Sequence, residues 1–217
     1  MNVLAIIPAR GGSKGIKRKN LIAYKGKPLM QWTIDAALNS NYINDVVVSS
    51  DNDEILALAN NNKGLITLKR PKELAEDNSR TEPVLKHVLE SLSQSDYSHI
   101  ILLQPTSPLR TVEHIDEAFK LLNKSKANSL ISVCGLEDHP FKSFKLDENG
   151  FLEGIINNDY PFFPRQILPK TYKANGAIYI IKVNEFKKNY SLLTDKTIHF
   201  EMSKESSKDI DTVEDLK

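Results

Sequence analysis

Six short apolar runs recur along the chain, at Val3–Ile7, Asp45–Ser50, Leu65–Leu68, His99–Gln104, Ser129–Cys134 and Ala177–Ile181, and stretches of helical periodicity separate most of them. This alternation constrains the fold more than any other feature. Apolar runs of strand length read as strands buried on both faces, and such strands belong to parallel sheets covered by helices. The helical stretches are Leu29–Leu38, Asp53–Asn60, Glu82–Leu92, Val112–Leu122 and Val183–Lys188. Asp51 or Asn52 can cap the second of these and Thr111 the fourth. The expected class is α/β, a mostly parallel sheet flanked by helices. Ligands of such sheets bind beyond the carboxyl ends of the strands, which puts weight on Arg10, Ser50, Asp51 and Gln104.

The first strand runs directly into Ala9-Arg10-Gly11-Gly12-Ser13-Lys14-Gly15, followed by Lys17, Arg18, Lys19 and Asn20. Three glycines permit close backbone approach to a ligand, so main-chain N–H groups can point inward. The cations add a positive field, and residues 1–30 contain no Asp or Glu. Together these describe a polyanion cradle. The spacing matches neither the P-loop nor the dinucleotide fingerprint.

Composition narrows the partner. With 217 residues, 40% hydrophobic and 26% charged, the chain can bury one sizeable core, and its formal net charge of +1 argues against a general nucleic-acid surface. No apolar run approaches the roughly 18 to 20 residues that span a bilayer, so no membrane partner is expected. The N-terminus enters a strand rather than a signal segment, and the expected location is the cytoplasm. A single cysteine, Cys134, excludes an internal disulfide framework and reads as buried filler. The histidines at 87, 99, 114, 139 and 199 lack metal-ligand spacing and read as structural.

Two further stretches stand out. Asp209-Ile210-Asp211 precedes an expected C-terminal helix beginning near Thr212, and in an extended segment both carboxylates fall on one face. Such a pair either caps the helix or holds Mg²⁺, which accepts one or two carboxylates together with substrate phosphates. Residues 138–173 break the alternating pattern and divide the main domain into 1–137 and 174–217. Lys142–Lys145 and Phe151–Ile156 read as strands joined by the turn Asp147-Glu148-Asn149-Gly150. The following segment mixes Pro161, Pro164 and Pro169 with Phe162, Phe163 and Tyr172, and reads as a lid or, preferably, a dimerisation arm, because exposed aromatic surface needs a partner.

The opening signature Ile7-Pro8-Ala9-Arg10-Gly11-Gly12-Ser13-Lys14-Gly15 through Lys19-Asn20 resembles that of the acylneuraminate cytidylyltransferases, or CMP-sialic acid synthetases, a bacterial family that includes CMP-legionaminate synthetases. Arg70-Pro71 through Asp77, Leu103 to Arg110, Asn175 to Tyr179, and Asp209 to Asp211 agree in the same order, so the resemblance covers nearly the whole chain. It implies a Rossmann-like nucleotidyltransferase fold with a small dimerisation insertion, and a Mg²⁺-dependent reaction. CTP plus a nonulosonic acid, N-acetylneuraminate or legionaminate, gives the CMP-sugar and diphosphate for cell-surface glycans.

Carried over by resemblance, Ala9, Arg10, Gly11, Gly12, Ser13, Lys14, Lys19 and Asn20 hold the nucleotide, with Ser79 and Thr81 reading cytosine. Thr81 is equally a helix N-cap. Gln104, with Asn20, contacts the sugar; Arg110 is either structural support or a surface salt-bridge partner. Arg10, Lys19 and Asp211 carry catalysis, with Mg²⁺ on Asp209 and Asp211. Lys142 and Arg165 are expected to reach the sugar pocket of a neighbouring subunit in a homodimer. Lys173 stands where sialate-specific relatives often have arginine, and the exchange loses the bidentate fork for a carboxylate. The alternatives are a cytidylyltransferase for the eight-carbon acid Kdo, and a non-catalytic nucleotide-binding regulator.

Overall fold

The computed structural model describes all 217 residues. Eleven strands follow in chain order: β1 (Val3–Pro8), β2 (Ala23–Tyr24), β3 (Lys27–Pro28), β4 (Asp45–Ser50), β5 (Leu65–Lys69), β6 (His99–Leu102), β7 (Ser129–Gly135), β8 (Phe144–Leu146), β9 (Leu152–Gly154), β10 (Tyr172–Lys182) and β11 (Thr197–Glu201). The helices are α1 (Leu29–Leu38), α2 (Asp53–Asn60), α3 (Thr81–Ser91), α4 (Val112–Lys124) and α5 (Val183–Asn189). Seven strands form one sheet in the order β11-β7-β10-β6-β1-β4-β5. Every neighbouring pair is parallel except the two made by β10, which runs antiparallel to β6 and β7.

Side chains of β1 alternate between the two faces of the sheet, and each face builds its own core. Val3, Ala5 and Ile7 join Met30 and Ile34 of α1, Ile55 of α2 and Phe119 of α4 on one side. Leu4 and Ile6 join Leu85 and Val88 of α3 and Phe186 of α5 on the other. All five residues from Val3 to Ile7 are fully buried, and none is polar.

Local chemistry sets the helix ends. Asn52, not Asp51, caps α2 by accepting from the Ile55 N–H, while Thr111 and His114 form a reciprocal capping box on α4. Thr81 is the first residue of α3 rather than its N-cap; Arg80 occupies the cap and makes no side-chain bond there. The C-terminal helix is a single 3₁₀ turn over Val213–Leu216, boxed by Thr212 and Asp215. β6 stops at Leu102, two residues short of expectation, because Pro105 has no N–H to continue a ladder. β10 begins at Tyr172, five residues early, and carries a bulge between Ala174 and Tyr179.

The hairpin of the insertion forms as β8 and β9. Its turn closes through Asp147, whose side chain accepts from the Asn149 and Phe151 N–H groups, and Gly150 takes a φ of +84° that an L side chain resists. Around it, Leu146, Phe151, Leu152, Phe162 and Ile167 are exposed. No helix of the chain is long and apolar enough to cross a membrane.

Candidate active site

The glycine-rich loop leaves the carboxyl end of β1, the central strand of the parallel half of the sheet. Ala9 anchors it by donating its N–H to the Ser49 carbonyl at 3.0 Å. Asn20, buried, donates from Nδ2 to the Arg10 carbonyl at 2.9 Å and pins the far end of the loop back onto its start. Arg18 takes the left-handed conformation immediately before this point, φ 57°, which turns the chain to bring Lys19 inward.

A cavity of about 240 Å³ opens between this loop, the segment 70–84 and the end of β6. Arg10, Gly12, Ser13, Lys19, Asn20, Ser79, Thr81 and Gln104 all line it. The sequence therefore identified one contiguous surface from three separate stretches. Ala9 and Gly11 do not line it: the Gly11 N–H is already donated to Asp51 Oδ1 at 2.8 Å. Lys14 stands beside the cavity, paired with Asp77 at 3.0 Å. Ser79 lies in the wall with its hydroxyl donated to the Glu73 carbonyl.

Three groups in or beside the cavity were not anticipated. Arg70 is buried and donates to Ser49 Oγ and the Ser49 carbonyl; burial lowers it to about 10, offset by the nearby Asp51 carboxylate and reinforced by Arg10. Its place one residue beyond β5 is the signal that could have found it, since strand ends carry the ligands. Asp77 receives both Lys14 and Arg10, the latter at 2.9 Å, and these contacts hold its carboxyl below the usual range. Thr106 lines the cavity floor and its carbonyl accepts from the Ile210 N–H at 2.8 Å.

That last bond brings the chain's end to its beginning. Residues 208–211 belong to no helix or strand, and Ile210 is fully buried against Ile16, Tyr24 and Leu29. Burying such a side chain is worth about 1.5–3 kcal/mol, enough to fix the segment. Asp209 and Asp211, on either side of it in the chain, are exposed. Asp209 keeps solvent contact but is crowded by protein, and this desolvation, with Asp211 beside it, pushes its carboxyl up. Asp211 Oδ1 meets the Lys19 ammonium at 2.8 Å. No third His, Cys, Asp or Glu completes a protein cage. Two carboxylates that draw a cation and leave other positions to solvent and phosphate fit Mg²⁺.

A second, larger cavity of about 890 Å³ shares Gln104 with the first. Lys173, Lys204 and Lys208 line it together with Tyr179, Glu205, Asp209 and Asp215, so it is a bowl of mixed charge that includes one of the paired carboxylates. Lys173 was anticipated here; Lys204 and Lys208 were not, and their sequence surroundings carry no periodic or motif signal. Gly176, at φ +76°, makes room: a Cβ there would come within 2.6 Å of Gln104 Oε1.

Lys142 and Arg165 line neither of these cavities. Lys142 Nζ donates to the Pro161 carbonyl and Arg165 Nη2 to the Glu137 carbonyl, both within the insertion and its base. Arg110 is no surface ion-pair partner. It is 2% exposed, donates to the Gln104 and Ala177 carbonyls and to Thr33 Oγ1, and faces no carboxylate; burial alone lowers it to about 9. It pins the loop after β6 to β10 and α1. Cys134 is buried, and no histidine enters the nucleotide-side cavity.

Comparison with known proteins shows the family. Residues 4–216 match the family model described as Cytidylyltransferase. The chain is 34% identical over 218 residues to the N-acylneuraminate cytidylyltransferase of Streptococcus agalactiae serotype V, covering all of this chain and 52% of that protein. It is 31% identical over 219 residues to the pseudaminic acid cytidylyltransferase of Campylobacter jejuni serotype O:2, covering 94% of that protein. The chain thus spans about half the length of the first of these relatives and nearly all of the second. Among solved structures, CMP:2-keto-3-deoxy-manno-octonic acid synthetase superposes with a TM-score of 0.71 at 16% identity, over 98% of this chain and 94% of that one, a likeness of fold.

Proposed function

Because this chain belongs to the cytidylyltransferase family, we propose that it activates a nonulosonic acid, joining CMP from CTP to the sugar's anomeric oxygen and releasing diphosphate. One observation carries the reading: Gln104 is common to both cavities, so the nucleotide side and the lysine-bearing bowl share a wall, and Asp209 lines the bowl. An anionic sugar in the bowl would present its anomeric hydroxyl to the α-phosphate of a nucleotide in the cradle.

Each residue then has a task. Arg10, Lys14 and Lys19, with the Gly12 and Ser13 amides, hold the triphosphate and steady the departing diphosphate. Asp77 releases Arg10 and Lys14 as the phosphates arrive, since solvent screens exposed pairs of this kind and they yield to a triphosphate. Ser79, Thr81 and main-chain groups near Ala9 read the base. Gln104, Lys173 and Asn20 orient the sugar acid, and Lys204 and Lys208 add positive field for its carboxylate. Asp209 and Asp211 hold Mg²⁺, which when bound neutralises charge developing at the α-phosphate. Asp211, or a water on the metal it would bind, would help take the anomeric proton.

The insertion is read as a homodimerisation arm. Its exposed apolar residues form a patch that a lone subunit leaves in water, and Lys142 and Arg165, which reach neither cavity of their own chain, suit a composite site with the neighbour. The cytoplasm, where CTP is made, is the proposed location. A diphosphate-release assay with CTP and a panel of N-acetylneuraminate, legionaminate, pseudaminate and Kdo tests the reading. Turnover with one of the nine-carbon acids supports it; turnover with Kdo alone, or none, overturns it.

A further inference from the structure

We infer that Lys19 is the resident counter-cation of Asp211, which keeps a divalent cation from the carboxylate pair until nucleotide phosphates draw the ammonium away. The inference rests on the reading of Asp209 and Asp211 as the metal ligands. It starts from a conflict of demand: one ammonium faces two anionic sites. Lys19 lines the nucleotide cavity beside Arg10, Gly12 and Ser13, yet its Nζ is spent on Asp211 Oδ1 at 2.8 Å. Arg10 and Lys14 are both engaged by Asp77, so Lys19 is the cradle cation that neutralises Asp211.

The pair is poorly screened on one side. The Lys19 side chain is only 15% exposed while that of Asp211 is 66% exposed, so the cation is shielded by protein and the carboxylate is the part open to solvent ions. The Lys19 backbone is fixed. Lys19 opens a 3₁₀ turn, and the neighbouring Asn20 is tied to the Arg10 carbonyl, which leaves only the four-carbon stem free to move. The stem swings between Asp211 and the cradle without any change in the loop. An ammonium on Asp211 opposes a divalent cation there by like-charge repulsion. Linkage is reciprocal, so phosphates that attract Lys19 strengthen metal binding by the factor with which the metal strengthens phosphate binding. The site therefore fills in concert, nucleotide with metal, rather than metal first.

The test is Mn²⁺ binding to the nucleotide-free protein, followed by the electron paramagnetic resonance signal of free Mn²⁺. Wild type is expected to bind weakly. Lys19→Gln is expected to tighten binding by about tenfold, within the ordinary range of coupling between sites. Lys19→Arg, which keeps the charge, stays weak. Adding Asp211→Asn to Lys19→Gln abolishes the gain. Thermal melts accompany each variant, and Lys19→Met, which keeps the aliphatic stem, carries the same expectation should Lys19→Gln fold poorly. Unchanged or weaker Mn²⁺ binding in both neutral variants, with Asp211→Asn still weakening it, overturns the counter-cation role alone. Binding indifferent to Asp211→Asn in every background overturns the metal reading and this inference with it.

Discussion

Gly15 and the Asp211 carbonyl oxygen touch so closely that a Cβ built on Gly15 would be driven inside van der Waals contact with it. The glycine is needed for space here, since its φ does not fall in the left-handed region. The cradle and the acidic segment are thereby packed backbone to backbone, and a methyl group at position 15 must push them apart. Gly15→Ala is expected to cost about 1–3 kcal/mol, as overpacking does, and to lower kcat more than a surface substitution of equal stability loss. Urea melts and steady-state kinetics check this; normal turnover would show that the contact relaxes freely.

Asp211→Asn keeps the shape and removes the charge. Its side chain is largely exposed, so the melting temperature should shift little, while Mg²⁺-dependent turnover falls about a hundredfold or more, the usual scale for lost charge stabilisation at a phosphoryl centre. Near-normal kcat at saturating Mg²⁺ would take Asp211 out of the mechanism.

Arg10→Ala separates binding from folding. The guanidinium bonds Asp77 and the Glu76 carbonyl at the protein surface, so its loss should barely move stability. A charge-assisted hydrogen bond contributes about 1.5–3 kcal/mol, which predicts a loss in kcat/KM for CTP of about tenfold to a hundredfold. A collapse of the melting temperature with intact kinetics would make the loop structural.

His99 gives the fold an acid sensitivity. Burial first, then Lys182 and the N-terminal ammonium, lower it from 6.5 to about 4. The unfolded chain takes up a proton near pH 6.5 that the folded chain refuses until about pH 4, so stability is lost as pH falls through that window. Between pH 7 and pH 5 the loss is about 2 kcal/mol from this group. His99→Gln should flatten that part of the profile in urea melts at the two pH values; an unchanged slope would assign the acid sensitivity elsewhere.

The composite-site reading predicts rescue. Arg165→Ala and Asp211→Asn are each expected to be nearly inactive alone. After subunit exchange about half the dimers are mixed, and each mixed dimer has one site built wholly of native residues, so activity should climb toward about a quarter of wild type per site. An inactive mixture of two folded, exchanging variants would mean that the arm serves its own chain.

The elements most legible from sequence were those whose signals are local. α1 and α2 begin and end where periodicity and the Asn52 cap place them, and β4 coincides with its apolar run. β11 was missed because it is an edge strand, half-exposed along Thr197–Glu201, with no apolar run to announce it. β2 and β3, two residues each, are too short for any periodicity. Among the expected residues, Arg10 and Gln104 reach the cavity from just beyond strand ends, and Lys19 reaches it from the far end of the glycine-rich motif. Arg110 was legible only as one of two alternatives, structural support or a surface partner, and contacts with Thr33 and Ala177, far along the chain, decide for the first. Lys204 and Lys208 join the bowl through the path of the chain after β11, which nothing local encodes.

The Lys19–Asp211 pair closes a loop of 192 residues. The contact bears on how the protein comes alive as well as on how it works. Everything that cradles phosphate is built on β1 and its immediate neighbours, while the carboxylates arrive only when the final segment docks Ile210. Refolding should therefore pass through a form that grips nucleotide without turning it over. Such long-range closures come late, because their loop entropy is met only after the sheet exists. Recovery of catalysis then reports completion of the chain's last contact, and a chain lacking residues 209–217 would be a nucleotide sponge with no chemistry.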